Sequence, residues 1–118
     1  MEIVNMTPHT LNIKRADGTF LDVPAPTEAE IAANPDLLAR CQEYRNAVAV
    51  VDGIELYETS YGAPSPLPPV REGTIFVVSS LYLSGLRAAG LDRPDVYVPG
   101  KGIRGVGGEM VGCIGLSR

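Results

Sequence analysis

The residue types with the clearest potential for chemistry lie in the second half of the chain. Ser79 and Ser80 stand between a segment typical of a buried strand and a segment typical of a helix. Free backbone N–H groups and the helix dipole at such a junction can hold a phosphate group. Serine is also a common N-cap, and one of the two could serve only in that role. From the junction alone, the capping role is the favoured interpretation.

Arginine supplies the cations that follow this junction. Arg87, Arg93 and Arg104 lie beyond the two serines, and a guanidinium group matches phosphate oxygens in pairs as a lysine cannot. If the three side chains converged, they would form a specific phosphate site. Otherwise they would be solvated surface residues with Asp92 or Asp95 as neighbours, and the residues alone leave both interpretations open.

Few aromatic rings could stack on a base, since the chain has five Tyr, two Phe and no Trp. Phe76 and Tyr82 lie closest to the serine junction. A ring within a buried strand is more often part of the core than a surface for a ligand. We therefore expect Tyr82, just inside the helix, to be the more exposed of the two.

No group of residues predicts catalysis or a metal centre. His9 is the one histidine, and no Ser or Asp is placed beside it as a general-base partner. We expect it to bond to the backbone of its own turn. Cys41 and Cys113 form no CxxC pair and fall short of the four ligands of a structural zinc site, so we expect reduced, largely buried thiols. We predict no catalytic residue, no metal and no cofactor.

Length and charge restrict the class of protein further. The chain of 118 residues is 45% hydrophobic, which predicts a single domain over residues 1–118. A net charge of −4 argues against duplex nucleic acid, whose binding depends on phosphate neutralisation. The longest apolar run is too short to cross a membrane, and the first residues lack the basic and apolar regions of a secretion signal. We expect a cytoplasmic protein that binds neither long nucleic acids nor membranes.

The elements that must position these residues are short. Turn residues predict hairpins at Asp17-Gly18 and Asp52-Gly53. Residues 74–78 predict a buried strand, and the helix that follows should end at Gly90. Pro99-Gly100 predicts a further turn between two strands. With the strands near both ends of the chain included, the sequence predicts seven or eight short strands and two or three helices. This combination is typical of an α+β fold with a mostly antiparallel sheet.

Residues 27–46 predict a helical insertion packed on the sheet. Thr27 and Glu30 have the spacing of a capping box. Asn34 and the proline after it can begin a second helix. The side chains that would form the apolar face of this second helix are Leu37, Leu38, Cys41 and Tyr44. The proline-rich residues 63–70 predict a fixed loop, because proline suits neither a helix interior nor a central strand.

Segments along most of the chain resemble a family of small bacteriophage and prophage proteins. Residues 4–11, Val-Asn-Met-Thr-Pro-His-Thr-Leu, match the family's V-N-[LM]-T-P-H opening. The other matching segments are Tyr61-Gly62, residues 67–69, 73–79 and 93–100, Arg104, and residues 111–116. Residues 27–46 look like an insertion beyond this pattern. Within this family the chain is similar to the Thoeris anti-defence proteins of the first type, which act as sponges for signalling nucleotides.

The resemblance implies a phage protein that sequesters a cyclic ADP-ribose isomer, or cyclic oligonucleotides, without cleaving them. It also implies a homo-oligomer, a dimer or an assembly of dimers, in the host cell cytoplasm. In the family's pattern Arg104 would bind phosphate and Phe76 would stack on adenine. The other candidate ligand-binding residues, placed by position, are Arg87, Arg93, Ser79, Ser80 and Tyr82. Arginines found earlier in the family's pattern have no match here, because Glu55 and Glu58 occupy the strand before Tyr61.

Two other classes of function stay open at this point. A phage structural or assembly accessory protein could use a turn-rich β domain and would bind no nucleotide. A phosphodiesterase-like enzyme would need a general base or a metal. The single histidine and the missing metal ligands count against this enzyme class.

Overall fold

The computed structural model describes residues 1–118 and contains eight strands, two α-helices and one short 3-10 helix. The strands are β1 (Glu2–Asn5), β2 (Leu11–Lys14), β3 (Phe20–Val23), β4 (Cys41–Val51), β5 (Ile54–Pro64), β6 (Thr74–Val77), β7 (Val96–Arg104) and β8 (Met110–Ser117). The helices are α1 (Glu28–Ala33), the 3-10 helix at Pro35–Leu37 and α2 (Ser80–Ala88). The prediction of an α+β fold is confirmed at this level.

The strands form two separate sheets. Six strands make one sheet in the order β1-β6-β7-β8-β2-β3, while β4 and β5 pair only with each other. The pairs β1–β6, β6–β7 and β2–β8 are parallel, and the remaining pairs are antiparallel. The longest ladders, β4–β5 and β7–β8, are antiparallel. The sheets are therefore largely antiparallel, and the six-stranded sheet is mixed.

The six-stranded sheet curls so that its two edge strands, β1 and β3, approach each other. The side-chain amide of Asn5 on β1 donates to the carbonyl of Val23 on β3 at 3.1 Å. The side chains that pack together inside the curl are Leu11, Ile13, Val77 and Cys113, with Ile3, Val23 and Leu116 beside them. This cluster is one half of the hydrophobic core.

Helix α2 covers the other face of β6 and β7 and completes the core. Side chains alternate along a strand, so Phe76 and Val78 lie on the face opposite Val77 and pack against α2. The helix begins after Ser79, whose hydroxyl accepts the backbone N–H of Tyr82 at 3.2 Å. It ends before Gly90, whose φ of 76° is the left-handed value expected at this position.

The predicted helical insertion over residues 27–46 is correct only in its first part. The capping box is present, with reciprocal bonds of 3.0 and 3.1 Å between Thr27 and Glu30. However, α1 buries no residue, so it is not a helix packed on the sheet. Residues 41–46 belong to β4, because the hairpin pairing with β5 extends back to Cys41. The apolar spacing from Leu37 to Tyr44 was not that of a helix face.

Strands β4 and β5 form a projecting ribbon, residues 41–64, which we call the β-arm. Each strand has 11 residues, and the turn residues Asp52 and Gly53 have φ values of 52° and 77°, as a tight hairpin turn requires. The radius of gyration is 16.8 Å, against about 13.5 Å for a compact chain of this length. Only the base of the β-arm is fixed to the rest of the protein, where Cys41 lies against Gly85 of α2.

Strand β7 continues through Pro99-Gly100, where the sequence predicted a turn. A β-carbon on Gly100 would lie 2.0 Å from the carbonyl oxygen of Ile114 on β8. Glycine is required here by the close approach of two strands and not by a change of chain direction. The turn of this hairpin lies further along, where residues 105–109 connect β7 to β8.

Candidate functional site

A cleft of about 700 Å³ lies where β1 and β6 end and β2 begins. Its volume falls in the range of roughly 300–1,000 Å³ that is typical of ligand sites. Its walls are residues 7–12, Ser79 and Ser80, Pro99, Gly100 and Gly102, and residues 110–113. The carboxyl ends of parallel strands commonly border ligand sites in α/β sheets, and β1 and β6 are such a parallel pair here.

One wall of the cleft is fixed by a buried polar pair in the β1–β2 connection. The side-chain oxygen of Asn5 accepts the backbone N–H of Thr7 at 2.9 Å and its hydroxyl at 2.6 Å. The amide nitrogen of Asn5 donates to the carbonyl of His9 at 2.8 Å. These bonds explain why Asn5 and Thr7 can be buried in the β1–β2 connection, since each of these polar side chains has a hydrogen-bond partner within the turn.

His9 has a different position from the one expected. Its backbone carbonyl accepts the bonds from Asn5 and Thr7, and the residue is exposed and lines the cleft. The hydrogen bonds of this turn are therefore made by the backbone of His9.

Two of the seven predicted ligand-binding residues border the cleft. Ser79 and Ser80 are both exposed there, at the start of α2. The hydroxyl of Ser79 is occupied by its capping bond to Tyr82. The capping role favoured from the sequence is confirmed for Ser79. The hydroxyl of Ser80 does not cap the helix.

The predicted stacking residues, Phe76 and Tyr82, lie in the core. Their exposed fractions are 0% and 1%, and the hydroxyl of Tyr82 donates to the carbonyl of Ser65. Burial raises the pKa of Tyr82 above its usual value. The expectation of an exposed Tyr82 is wrong, because its ring packs in the same core cluster as Phe76 and Val78. The structure presents neither ring face to a base.

Arg93 is held by groups of the protein itself. Its guanidinium donates to both carboxylate oxygens of Asp95 at 2.9 Å and to the carbonyl of Pro68 at 2.8 Å. The same bonds hold the pKa of Asp95 below its usual value. Arg93 therefore joins the proline-rich loop to the start of β7, whereas residues 63 and 64 of the predicted loop belong to β5.

Arg87 and Arg104 are exposed and lie on separate elements. Arg87 occupies the last turn of α2, at the end of the helix opposite Ser79 and Ser80, where a cation interacts favourably with the helix dipole. Arg104 ends β7 and donates to the carbonyl of Gly108 at 3.2 Å. Arg93 and Arg104 stand at opposite ends of β7, roughly 30 Å of extended chain. The three arginines therefore do not converge on one phosphate within a single chain.

Arg93→Ala is expected to lower the free energy of unfolding at neutral pH by about 1–3 kcal/mol, since the nearly buried Asp95 carboxylate loses its paired donors. Pairing lowers the folded-state pKa of Asp95, so its stabilisation is complete well above the unfolded value of about 3.9. It is lost as the pH falls through the folded-state value. Urea unfolding of both proteins at pH 7 and pH 3 should show the difference shrinking at pH 3.

Arg87→Ala is the matched control, because this arginine is exposed and makes no ion pair. It should change stability by less than about 0.5 kcal/mol at either pH. A deficit of Arg93→Ala that stays the same at both pH values would contradict the role given to the Asp95 pair.

The sequence did not single out most of the cleft. Thr10, Asn12, Met110 and Gly112 border it, and none of them was a candidate ligand-binding residue, although Thr10 and Gly112 lie in segments that carry the resemblance. A signal that could have pointed here is the pair Asn5 and Thr7, two polar residues near the start of the chain that the fold buries together. No group of three or more His, Cys, Asp or Glu side chains is arranged to hold a metal ion, and no helix has the length and hydrophobicity to span a membrane.

Comparisons with protein-family models, with curated proteins and with solved structures find no match to this chain. The class of protein is therefore defined by its own features. It is an α+β protein with a curled mixed sheet, a cleft at the ends of β1 and β6, and a projecting β-arm.

Proposed function

We propose that this protein binds a small cyclic nucleotide signal in the cleft and sequesters it without cleaving it. The observation that carries the proposal is the cleft itself, whose volume of about 700 Å³ suits a nucleotide-sized ligand. Together with the resemblance to Thoeris anti-defence proteins, this gives a phage protein that lowers the free concentration of a host immune signal in the host cytoplasm.

The composition of the cleft supports a ligand with both a base and phosphates. Leu11 and Cys113 are buried at its floor and offer an apolar surface. Ser80 and the first turn of α2 border its rim, where unpaired backbone N–H groups and the helix dipole favour an anion. A nucleotide has this same division between an apolar base and charged phosphates.

The ionisable groups of the cleft support binding over cleavage. Among the lining residues, only His9 and Cys113 have ionisable side chains, and Cys113 is buried with its thiol directed to the carbonyl of Gly115. Hydrolysis of a phosphodiester needs a positioned base with a nucleophile or metal. A protein that only sequesters its ligand needs affinity alone.

Thermal melts with cyclic ADP-ribose and its isomers, cyclic dinucleotides and cyclic trinucleotides test the proposal. A ligand at about 100 times its dissociation constant stabilises the folded protein by about 2.7 kcal/mol per site, which for a domain of this size raises the Tm by roughly 10 °C. We expect such a shift with one class of ligand. The bound ligand should be recovered chemically unchanged after the protein is denatured, and a cleaved product would instead make the protein an enzyme.

A matched pair of serine variants tests the location of the site. Ser80→Asp places a carboxylate in the first turn of α2, where it favours the helix dipole but repels an anion in the cleft. It should keep the ligand-free Tm and lose most of the ligand-induced shift. Ser84→Asp makes the same change at an exposed position of α2 outside the cleft and should retain the shift.

Arg104→Ala distinguishes ligand binding in the cleft from ligand binding at Arg104, the phosphate-binding residue that the resemblance implies. A shift that survives Ser80→Asp but is lost in Arg104→Ala would place the ligand at the β7–β8 hairpin and overturn the location proposed here. If the folded protein shows no rise in Tm with any ligand, the alternative of a phage structural or assembly accessory protein is favoured. That a homo-oligomer binds the ligand, as the resemblance implies, stays a prediction.

A further inference from the structure

We propose that the free edge of β5 binds an extended, basic segment of another protein, which adds to the β-arm as a third strand. The inference stands on the β-arm alone and does not depend on the cleft or its ligand. It begins from backbone groups that the rest of the protein leaves unpaired.

Strand β5 has a neighbouring strand on one side only. The β-arm is a separate two-stranded sheet, and no hydrogen bond outside its own ladder uses the backbone of residues 54–61. Every residue from Ile54 to Tyr61 is exposed. An isolated two-stranded hairpin is at best marginally stable in water, and a third strand is one of the additions that stabilise it. The edge of β5 is therefore a template for another chain.

The edge of β5 lacks most of the features by which proteins protect a free edge. Such edges commonly carry lysine, proline or a bulge. The segment from Ile54 to Tyr61 contains neither lysine nor proline. Where the register shifts near Tyr57, the extra residue is Val48 of β4, so the bulge lies on the other strand. Strand β5 is regular along this segment and can pair with an incoming strand.

The charges of the β-arm decide which strand can add to it. Residues 41–64 contain a single base, Arg45, and four acids, which are Glu43, Asp52, Glu55 and Glu58. Both ion pairs of the protein lie outside the β-arm, so none of these carboxylates is paired with a cation. On β5 itself the only charged side chains are Glu55 and Glu58. An incoming strand therefore meets acidic groups that are still unpaired.

Each face of β5 has one of these two carboxylates beside apolar or aromatic side chains. Side chains alternate along a strand, so Ile54, Leu56 and Glu58 lie on one face. Glu55 and Tyr57 lie on the other face, where an arginine of β4 already lies 4.7 Å from the centre of the Tyr57 ring. Ile54 is 63% exposed. The partner that these groups fit has both apolar and basic side chains.

A basic partner fits this edge better than a second copy of the chain. Two copies that paired along β5 would bring Glu55 and Glu58 of both strands to one junction, with no base on either strand to offset them. A strand with arginine or lysine would instead place opposite charges beside each other. In such complexes the main-chain bonds give affinity and the side chains give specificity.

A designed peptide provides the first test. Fluorescence anisotropy would follow a labelled peptide of alternating arginine and valine, as long as the segment from Ile54 to Tyr61, mixed with the full-length protein. We expect saturable binding at 50 mM NaCl that weakens at least about tenfold at 500 mM NaCl, since salt screens the attraction. The same peptide N-methylated at two adjacent central residues keeps its charge and loses backbone donors on both of its edges. It should bind at least about tenfold more weakly.

Charge reversal on the edge provides the matched test in the protein. Glu55→Lys combined with Glu58→Lys should remove binding of the arginine peptide and create binding of a peptide of alternating glutamate and valine. Glu72→Lys combined with Glu109→Lys makes the same change in net charge at exposed positions outside the β-arm and should keep the original preference. Since all four side chains are exposed, circular dichroism should show both proteins folded. Equal loss of binding in the two proteins would contradict the proposal.

Amide hydrogen exchange locates the bound strand. In the free protein the outward-facing amides of β5 should exchange rapidly, and the arginine peptide should slow their exchange at least about tenfold. Slow exchange of these amides in the free protein at high micromolar concentration would mean that a second copy already covers the edge, and would overturn the proposal. So would equal binding of the N-methylated peptide, protection confined to another strand, or no binding of the arginine peptide.

Discussion

Replacing Phe76 with alanine should lower the free energy of unfolding by about 3–5 kcal/mol, the range for removing a large aromatic side chain from a core. Phe76 is fully buried on β6 and packs with the apolar residues of α2. The guanidinium groups of Arg71 and Arg93 lie 5.7 and 6.0 Å from its ring, so the ring also loses its cation–π contacts. Urea unfolding followed by circular dichroism would measure the change.

The conservative variant and a surface control make this prediction specific. Phe76→Leu keeps most of the buried volume and should cost less than about 1.5 kcal/mol if the core repacks. Leu81→Ala, on the exposed side of α2, should have little effect. If Phe76→Ala instead kept its stability and lost only nucleotide binding, the stacking role drawn from the resemblance would be correct and the core role would be wrong.

Replacing Gly100 with alanine is expected to cost at least about 3 kcal/mol, at or above the upper end for overpacking a well-packed site. The added β-carbon would lie 2.0 Å from the carbonyl oxygen of Ile114 and 2.8 Å from that of Gly115. Both obstacles are backbone atoms of the paired strand β8, so they can yield only if the ladder separates. We expect a large fall in Tm, or a protein that does not fold.

Gly102→Ala is the matched control two residues along the same strand. Its β-carbon would lie 2.6 Å from the thioether end of the Met110 side chain, which can rotate away. This variant should cost less than about 1 kcal/mol, because methionine is flexible. Equal losses in the two variants would show that glycine is needed along β7 for some reason other than the close approach of β8.

Several local elements followed from the sequence because their causes are local. Asp52-Gly53 specifies a tight hairpin turn through its positive φ angles, and the strands beside it form the β-arm. The Thr27–Glu30 capping box needs only four residues. Ser79 and Gly90 mark the two ends of α2 for the same reason. The α+β class followed from the succession of such signals.

The sequence misassigned residues whose role depends on distant partners. Residues 41–46 are a strand because β5 pairs with them, and apolar spacing alone cannot distinguish that from a short helix. The parallel pairing of β1 with β6 joins segments about 70 residues apart, so no turn motif in the sequence predicts this pairing. Phe76 had the chemistry of a ligand-binding residue, and only the packing of α2 placed it in the core. For Arg93 the sequence left two interpretations open, and its bonds to Asp95 and to the distant carbonyl of Pro68 decided between them.

The sequence by itself therefore determined the turns at Asp17-Gly18 and Asp52-Gly53, the helix caps and the approximate number of elements, since each depends on neighbours within a few residues. Only the tertiary structure decided which residues meet. It placed Ser80, His9 and Thr10 around one cleft and separated the arginines from it. It also left the β-arm without a covering layer. The physical reason is that burial and strand register are properties of contacts between distant segments, and these contacts form only when the sheet closes.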